Sequence, residues 1–239
     1  MIDFNIEKIM PLCESFGVNI TEKQKSQLNL YGNLLLEWNE KINLTAIKEP
    51  EDVLFKHFYD CILFFKNSDI KEGSTLIDVG TGAGFPGMVI KIIRPDIEVT
   101  LLDSLNKRLI FLNDVIEKLG LSGIKTVHAR AEDAGKNKAM REKFDFATAR
   151  AVASLPVLLE YCTPLVKSGG QFISMKGPSA FEEADACKNA IKVLNLSEPK
   201  IICETLKENE QRAFVYFKKL SQTPPKYPRN PADISKQPL

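Results

Sequence analysis

The sequence predicts an α/β fold: a mostly parallel sheet of seven strands with an antiparallel hairpin at one edge, preceded by a helical extension. Three observations carry this. Short β-rich runs alternate with helix-like stretches from Gly73 onward, two more strand-like runs lie close together near the end, and the first 70 residues show only helical apolar spacing. Strand alternating with helix argues for parallel strands joined by right-handed crossovers. A length of 239 residues, against about 150 per domain, suits one large domain with an appendage.

The elements follow in order. Thr21 with Gln24 three positions on forms a capping-box pattern, after which Leu28, Tyr31, Leu34, Leu35 and Trp38 recur at helical spacing. A second amphipathic stretch after Pro50 carries Val53, Leu54, Phe55, Phe58, Cys61, Ile62 and Phe65. Both stripes need a packing partner, and the domain beginning near Gly73 supplies it. Strands are expected at 75–79, 99–103, 124–128, 144–148 and 171–175, with helices at 107–119, 155–162 and 180–194. Runs 200–206 and 213–219, joined by the polar link 207–212, suit the edge hairpin. The tail, with Pro224, Pro225, Pro228, Pro231 and Pro238, reads as irregular or extended. The divisions are a helical extension over 1–72, a catalytic domain over 73–220 and a basic, proline-rich tail over 221–239.

Composition narrows the classes. With 44% hydrophobic and 26% charged residues, disordered, collagen-like and disulfide-scaffold proteins are excluded. Five widely spaced cysteines without a C-x-x-C, and only two histidines, His57 and His128, suggest neither disulfides nor a metal site. No apolar run approaches the roughly 18 residues of a membrane span, so a reduced, cytoplasmic, membrane-free protein is expected. The net charge of +1 hides an asymmetry: residues 1–72 hold 8 basic and 12 acidic side chains, and 218–239 hold 5 and 1. Such a basic end suits phosphate contact, though a merely solvated tail reads the same way.

The most informative segment is Leu76-Ile-Asp-Val-Gly80-Thr-Gly82-Ala-Gly84-Phe-Pro-Gly87, an apolar strand running into a glycine-dense turn. In an open parallel sheet ligands bind at this edge. Gly82-x-Gly84-x-x-Gly87 matches the dinucleotide fingerprint, so an NAD oxidoreductase is one reading. A fingerprint that starts at the strand end, Gly80, instead puts Phe85 where the third glycine belongs. The other frame, Asp78-x-Gly80-x-Gly82-x-Gly84, resembles the first motif of class I S-adenosylmethionine-dependent methyltransferases, a Rossmann-like fold. That ligand has no pyrophosphate but carries a sulfonium and an amino group, which favour a carboxylate such as Asp78.

Later units agree. Asp103 ends the second strand, where an acidic side chain reaches ribose hydroxyls of either cofactor. His128-Ala-Arg130-Ala131-Glu132-Asp133 places a polar turn at the adenine edge, and Arg150 leaves the fourth strand opposite the glycine loop.

At this point a family resemblance emerges. Asn43-Leu-Thr-Ala46, Asp78 to Gly87, Leu102-Asp-Ser-Leu-Asn-Lys-Arg108 with Phe111-Leu112, Ala131-Glu132, Arg150-Ala-Val-Ala-Ser-Leu155, Met175-Lys-Gly177, Tyr227-Pro-Arg229 and Lys236-Gln-Pro-Leu239 occur in order across the chain. Together they resemble the bacterial glucose-inhibited division protein B family, small-subunit ribosomal RNA guanine-N7 methyltransferases. One departure is that Arg229-Asn-Pro-Ala-Asp-Ile-Ser-Lys236 lacks the glycine-containing turn expected before the lysine.

The resemblance implies methylation of 16S ribosomal RNA at N7 of a guanine in the 530 loop, with the RNA or the small subunit as partner and S-adenosylmethionine as cofactor; nothing in the sequence requires an oligomer, and a monomer is expected. It places Gly80 and Phe85 at the cofactor's methionine and adenosine, Ala131 and Glu132 near adenine, Arg150 on the pocket's polar side, and Asp103 with Ser104 at the ribose; Asp78, Gly82 and Gly84 complete the loop. N7 carries a free lone pair near neutral pH, so catalysis is expected from proximity and orientation rather than from a general base. Candidates for gripping the guanine are Asn43, Arg150, Ser154 and Lys176, with His57 read first as a satisfied residue of the helical layer. Lys107, Arg108, Arg130, Lys176, Arg229 and Lys236 are the expected RNA contacts. A non-catalytic ribosome-associated RNA-binding protein is the alternative of another class.

Overall fold

The computed structural model describes residues 2–207 and 210–239. After a 3₁₀ turn at Ile6–Lys8 come α1 (Met10–Glu14) and α2 (Glu22–Asn39). Then α3 (Pro50–Asp52) continues through a π-helical segment, Val53–Tyr59, into α4 (Asp60–Ile62) and a 3₁₀ end at Leu63–Asn67. The sheet region alternates β1 (Thr75–Val79), α5 (Gly87–Ile93), β2 (Glu98–Asp103), α6 (Asn106–Lys118), β3 (Ile124–His128), α7 (Ala131–Lys136), β4 (Phe144–Arg150), α8 (Leu155–Cys162) and β5 (Val166–Lys176). It ends with α9 (Ala180–Asp185), α10 (Lys188–Leu194), β6 (Lys200–Thr205), β7 (Gln211–Lys218) and α11 (Pro231–Lys236).

The seven strands form one sheet in the order β3-β2-β1-β4-β5-β7-β6; β1 to β5 are parallel, and β7 runs antiparallel to both β5 and β6. The order reverses between β1 and β4, which opens a crevice at their carboxyl ends. Buried on both faces, β1, β2 and β4 read as near-continuous apolar runs interrupted by Asp78, Thr100, Asp103 and Thr148.

Helices cover both faces. One core joins α5 and α6 to the N-terminal helices through Leu28, Tyr31, Phe58 and Phe64; the other packs α8, α10 and Tyr227 of the tail against Ile77, Ala147 and Phe172. The capping box of α2 is present: Thr21 Oγ1 accepts from the Gln24 amide, and Gln24 Oε1 accepts from the Thr21 amide. The same Gln24 donates through Nε2 to the carbonyls of Ile92 and Ile93, closing the carboxyl end of α5, while Gln27 donates to Leu119 at the end of α6.

Two expectations are corrected. The helix expected over 180–194 is two, because a turn at Ala186 and Cys187 lets Ala180 and Ala184, then Ala190, Ile191 and Leu194, all face the sheet. The tail is not wholly irregular, since Asn230 caps α11 by accepting from the Asp233 amide and Ile234 is buried. Glu208 and Asn209 of the polar link lie outside the described residues. Among the described residues, no helix is long and apolar enough to cross a membrane.

Candidate cofactor and substrate site

The glycine turn between β1 and α5 is built around Asp78. Its Oδ2 accepts from Thr81 Oγ1 at 2.7 Å and from the Gly87 amide at 2.9 Å, which ties the strand end to the first turn of α5. Its Oδ1 has no partner, and burial raises the carboxyl pKa to about 6 against those hydrogen bonds and Arg150. Gly80 and Gly84 hold φ of +71° and +99°; at Gly84 a Cβ would also stand 2.6 Å from the Tyr31 hydroxyl. Gly87 is required by space, since a Cβ there would meet Leu101 at 2.5 Å and Asp78 at 2.9 Å. It holds the third place of the Gly82-x-Gly84-x-x-Gly87 spacing and packs closely against β1 and β2.

Two cavities open at the crevice and share Ala151. The first, about 290 Å³, is lined by Gly80, Asp103, Ser104, Arg108, Ala131 and Glu132, with Arg130, Val152 and Tyr161 at its sides. Asp103 is oriented by three donors: the Gly82 amide (2.9 Å) and Arg108 (3.2 Å) on Oδ2, and the Leu105 amide (2.9 Å) on Oδ1. Glu132 Oε1 is buried and accepts no hydrogen bond, with Arg130 standing 3.9 Å away. Two carboxylates, one at the end of β2 and one in the first turn of α7 with an oxygen that accepts no hydrogen bond, fit a nucleoside that offers hydroxyl and amino donors, and S-adenosylmethionine meets that requirement.

The second cavity, about 330 Å³, is lined by Lys56, His57, Asp60, Arg150, Met175, Lys176 and Arg212, with Ile47 and Gly177. Here β4 meets the helical extension. Arg150 donates to Asp60 Oδ2 at 2.8 Å, to the Lys56 carbonyl at 3.0 Å and to His57 Nδ1 at 2.9 Å, and its guanidinium lies 5.0 Å from the centre of the Phe85 ring. His57 stacks on the other partner of this cluster, with ring centroids 4.3 Å from those of Phe85. Since Nδ1 accepts from Arg150, the network assigns the proton to Nε2, which donates to Thr45 Oγ1 at 3.0 Å. Burial and the Arg150 charge lower the His57 pKa to about 3, so the ring is neutral at physiological pH. Lys176 braces the 151–154 loop, donating to the Ala153 carbonyl at 2.6 Å and pairing with Glu183 at 2.8 Å. Within that loop Ala151 holds φ of +56°, a strained conformation for a residue with a Cβ, at the point where the cavities meet.

The structure thus distributes the expected residues. Gly80, Asp103, Ser104, Ala131, Glu132 and Arg108 line the first cavity, while Asp78, Gly82 and Gly84 form the turn beside it, and Phe85 packs on His57 and Arg150 of the second cavity instead. Arg150 lines the second cavity, not the first, together with Lys176. Asn43, Ser154, Lys107 and Lys236 are exposed and line neither. Arg229 is committed elsewhere: its guanidinium and backbone amide hold Glu160, a fully buried carboxylate on α8. Sequence reasoning missed Asp60, Lys56 and Arg212. The one available signal was a carboxylate set among Phe58, Tyr59, Cys61 and Ile62.

The family model GidB, rRNA small subunit methyltransferase G, matches residues 24–214. A Ribosomal RNA small subunit methyltransferase G of Clostridium perfringens (strain 13 / Type A) is 50% identical over 232 residues, covering 95% of each chain. One of Clostridium botulinum (strain ATCC 19397 / Type A) is 48% identical over 237 residues, covering 99% of this chain and 98% of its own. Among solved structures, M. jannaschii TYW2 in complex with AdoMet shares the fold with a TM-score of 0.55 at 11% identity, over 73% of this chain and 80% of that one. A parallel sheet with an antiparallel edge hairpin, a carboxylate-framed glycine turn and a nucleoside-shaped donor set therefore converge, and the chain belongs to the rRNA small subunit methyltransferase G family of S-adenosylmethionine-dependent enzymes.

Proposed function

We propose that the chain methylates N7 of a guanine in the 530 loop of 16S ribosomal RNA, by direct in-line transfer without a general base. The observation that carries this reading is the meeting of two cavities at Ala151, one framed by carboxylates for a nucleoside cofactor and one of about 330 Å³ beside it, with room for a base. When bound, S-adenosylmethionine supplies an electrophilic methyl group that N7 attacks with its own lone pair, so no proton leaves the base.

The side chains agree with a reaction that needs no base. His57 is the histidine at the second cavity, and both ring nitrogens are engaged, with its pKa far below neutrality. Cys61 and Cys162 are buried with raised pKa values, the opposite of an activated thiolate. What remains is positioning: the Lys176 brace, the Phe85 platform and the Arg150 clamp hold the junction rigid, and orientation of this kind is worth about 7–11 kcal/mol of barrier. Arg108 and Arg130 at the first cavity, with Lys56, Lys176 and Arg212 at the second, supply cations along the path of an RNA strand. In this reading 1–72 is a helical extension that completes the base pocket, 73–220 binds the cofactor, 221–239 is the tail, and the enzyme works as a cytoplasmic monomer.

The test is transfer of tritiated methyl from S-adenosylmethionine to small subunits from a strain lacking the gene, followed by primer extension after cleavage at N7-methylguanine. A single new stop in the 530 loop is expected. Transfer to another atom or another loop, or no transfer, overturns the proposal.

A further inference from the structure

Asp60 is a carboxylate without an evident employer. It is 2% exposed, on a helix whose neighbours Phe58, Tyr59, Cys61 and Ile62 are all buried apolar residues. One oxygen, Oδ2, accepts from Arg150 at 2.8 Å. The other, Oδ1, accepts no hydrogen bond, and the cation facing it, Arg212 Nε, stands 3.5 Å away. A buried carboxylate oxygen that accepts no hydrogen bond is unfavourable unless a ligand completes it. Asp60 also lines the second cavity, whose 330 Å³ lies next to the cofactor cavity across the strained Ala151.

Arg150 and Arg212 favour the ionised carboxylate against its burial, and an ionised carboxylate only accepts, so the missing partner is a donor. A purine reaching the cofactor methyl through N7 turns its Watson–Crick edge to the far side of the ring. Guanine offers two donors on that edge, N1–H and the N2 amino group. Adenine presents an acceptor at N1, so two lone pairs would face each other with no proton between them. We propose that the second cavity receives the target base extruded from the RNA, and that Asp60 selects guanine by accepting from its N1–H and N2 amino edge. This rests on the N7 reading above and deepens it.

The assignment also bears on rate. Methyl transfer places positive charge on the guanine ring and makes N1–H more acidic, so a hydrogen bond from that edge to a carboxylate strengthens as the transition state forms. Only interactions that strengthen in this way accelerate the step. Arg150 then acts as a positioning residue, fixing the rotamer of Asp60 through Oδ2, while the base edge reaches the buried Oδ1 by displacing Arg212, which stands over it without a hydrogen bond.

The experiment compares 16S RNA reconstituted into small subunits with guanine or inosine at the target position. Inosine keeps N7 and N1–H but lacks the N2 amino group. Wild-type enzyme should methylate the inosine substrate roughly 10-fold to 100-fold less efficiently in kcat/KM, the loss expected for one hydrogen bond to a charged group. Asp60→Asn should lose about 100-fold on guanine and narrow the guanine-to-inosine ratio to about twofold, while calorimetric affinity for S-adenosylmethionine stays at the wild-type value. Wild-type enzyme that treats inosine and guanine alike overturns the proposal whatever the variant does. So does Asp60→Asn that loses activity but keeps the wild-type ratio, because Asp60 would then serve only to hold Arg150. Primer extension separates the layers: methyl at N7 with no edge discrimination sinks this assignment alone, and no methyl at N7 sinks the underlying reading as well.

Discussion

Asp78 meets two opposed demands at a single side chain. As a ligand for the Gly87 amide and the Thr81 hydroxyl it sets the glycine turn, yet it is wholly buried with Oδ1 unpartnered. Its pKa stands at about 6 in the folded chain against an ordinary 3.8. A carboxyl raised in this way contributes stability that is present below about 3.8 and is lost as pH rises through 6, because the folded state then has to ionise a buried group. The difference amounts to about 3 kcal/mol across that window. Asp78→Asn keeps an acceptor for the Gly87 amide and removes the charge. It should therefore gain stability relative to the wild type between pH 4 and pH 7, by about that amount, and, on the proposed reading that sets the cofactor's sulfonium near Asp78, should bind S-adenosylmethionine more weakly. Urea unfolding of both proteins at the two pH values, with a binding titration at pH 7, reads both effects. A stability difference that does not change with pH would mean that Asp78 ionises as an ordinary carboxylate.

At the scale of elements, α2 joins the helical extension to the sheet region by closing other helices. Gln24 serves both its own capping box and the last carbonyls of α5, and Gln27 serves α6. The last carbonyls of a helix have no partner within it, so these amides satisfy groups that would otherwise be stranded at a packed interface. Gln24→Ala should cost about 2 kcal/mol, combining the cap with the two carbonyls, and Gln27→Ala about 1 kcal/mol. In a chain of this size each kcal/mol lowers Tm by roughly 2–4 °C, so thermal unfolding resolves the two. Equal losses would show that the bonds to α5 add nothing beyond the cap. The capping box itself was legible in the sequence, because Thr21 and Gln24 are local. That the same amide reaches Ile92 and Ile93 was not, since those carbonyls are 68 and 69 residues away. The strands and the glycine turn were legible for the same local reason: apolar runs and glycine spacing are written within a dozen residues. The break between α9 and α10 carries no proline or glycine and follows from packing alone. Asp60 was illegible as a site because its meaning comes from Arg150, 90 residues later.

Over the whole molecule, the basic carboxyl end changes meaning once its partners are known. Of its cations, Lys219 is buried, donating to Glu142 and to the carbonyls of Thr163 and Val166, and Arg229 is locked on Glu160. Arg141 reaches across from α7's flank to hold the carbonyls of Thr223 and Tyr227. Two of the five cations that looked like an RNA arm therefore fasten the tail to the helices behind the first cavity, where Tyr161, one residue from Glu160, lines the wall, while Lys218, Lys226 and Lys236 stay exposed. Removing Arg229 strands the buried Glu160 carboxylate, and breaking a buried pair from one side costs about 3 kcal/mol. Arg229→Ala is expected to lower Tm by roughly 6–12 °C, with the salt dependence of RNA binding unchanged. Arg130→Ala, at an exposed position on the cavity rim, should do the reverse: leave Tm within about 2 °C and reduce the slope of log affinity against log salt by about 0.7–0.9, the value of one phosphate contact. A reduced slope in Arg229→Ala with an unshifted Tm would return the tail to the RNA.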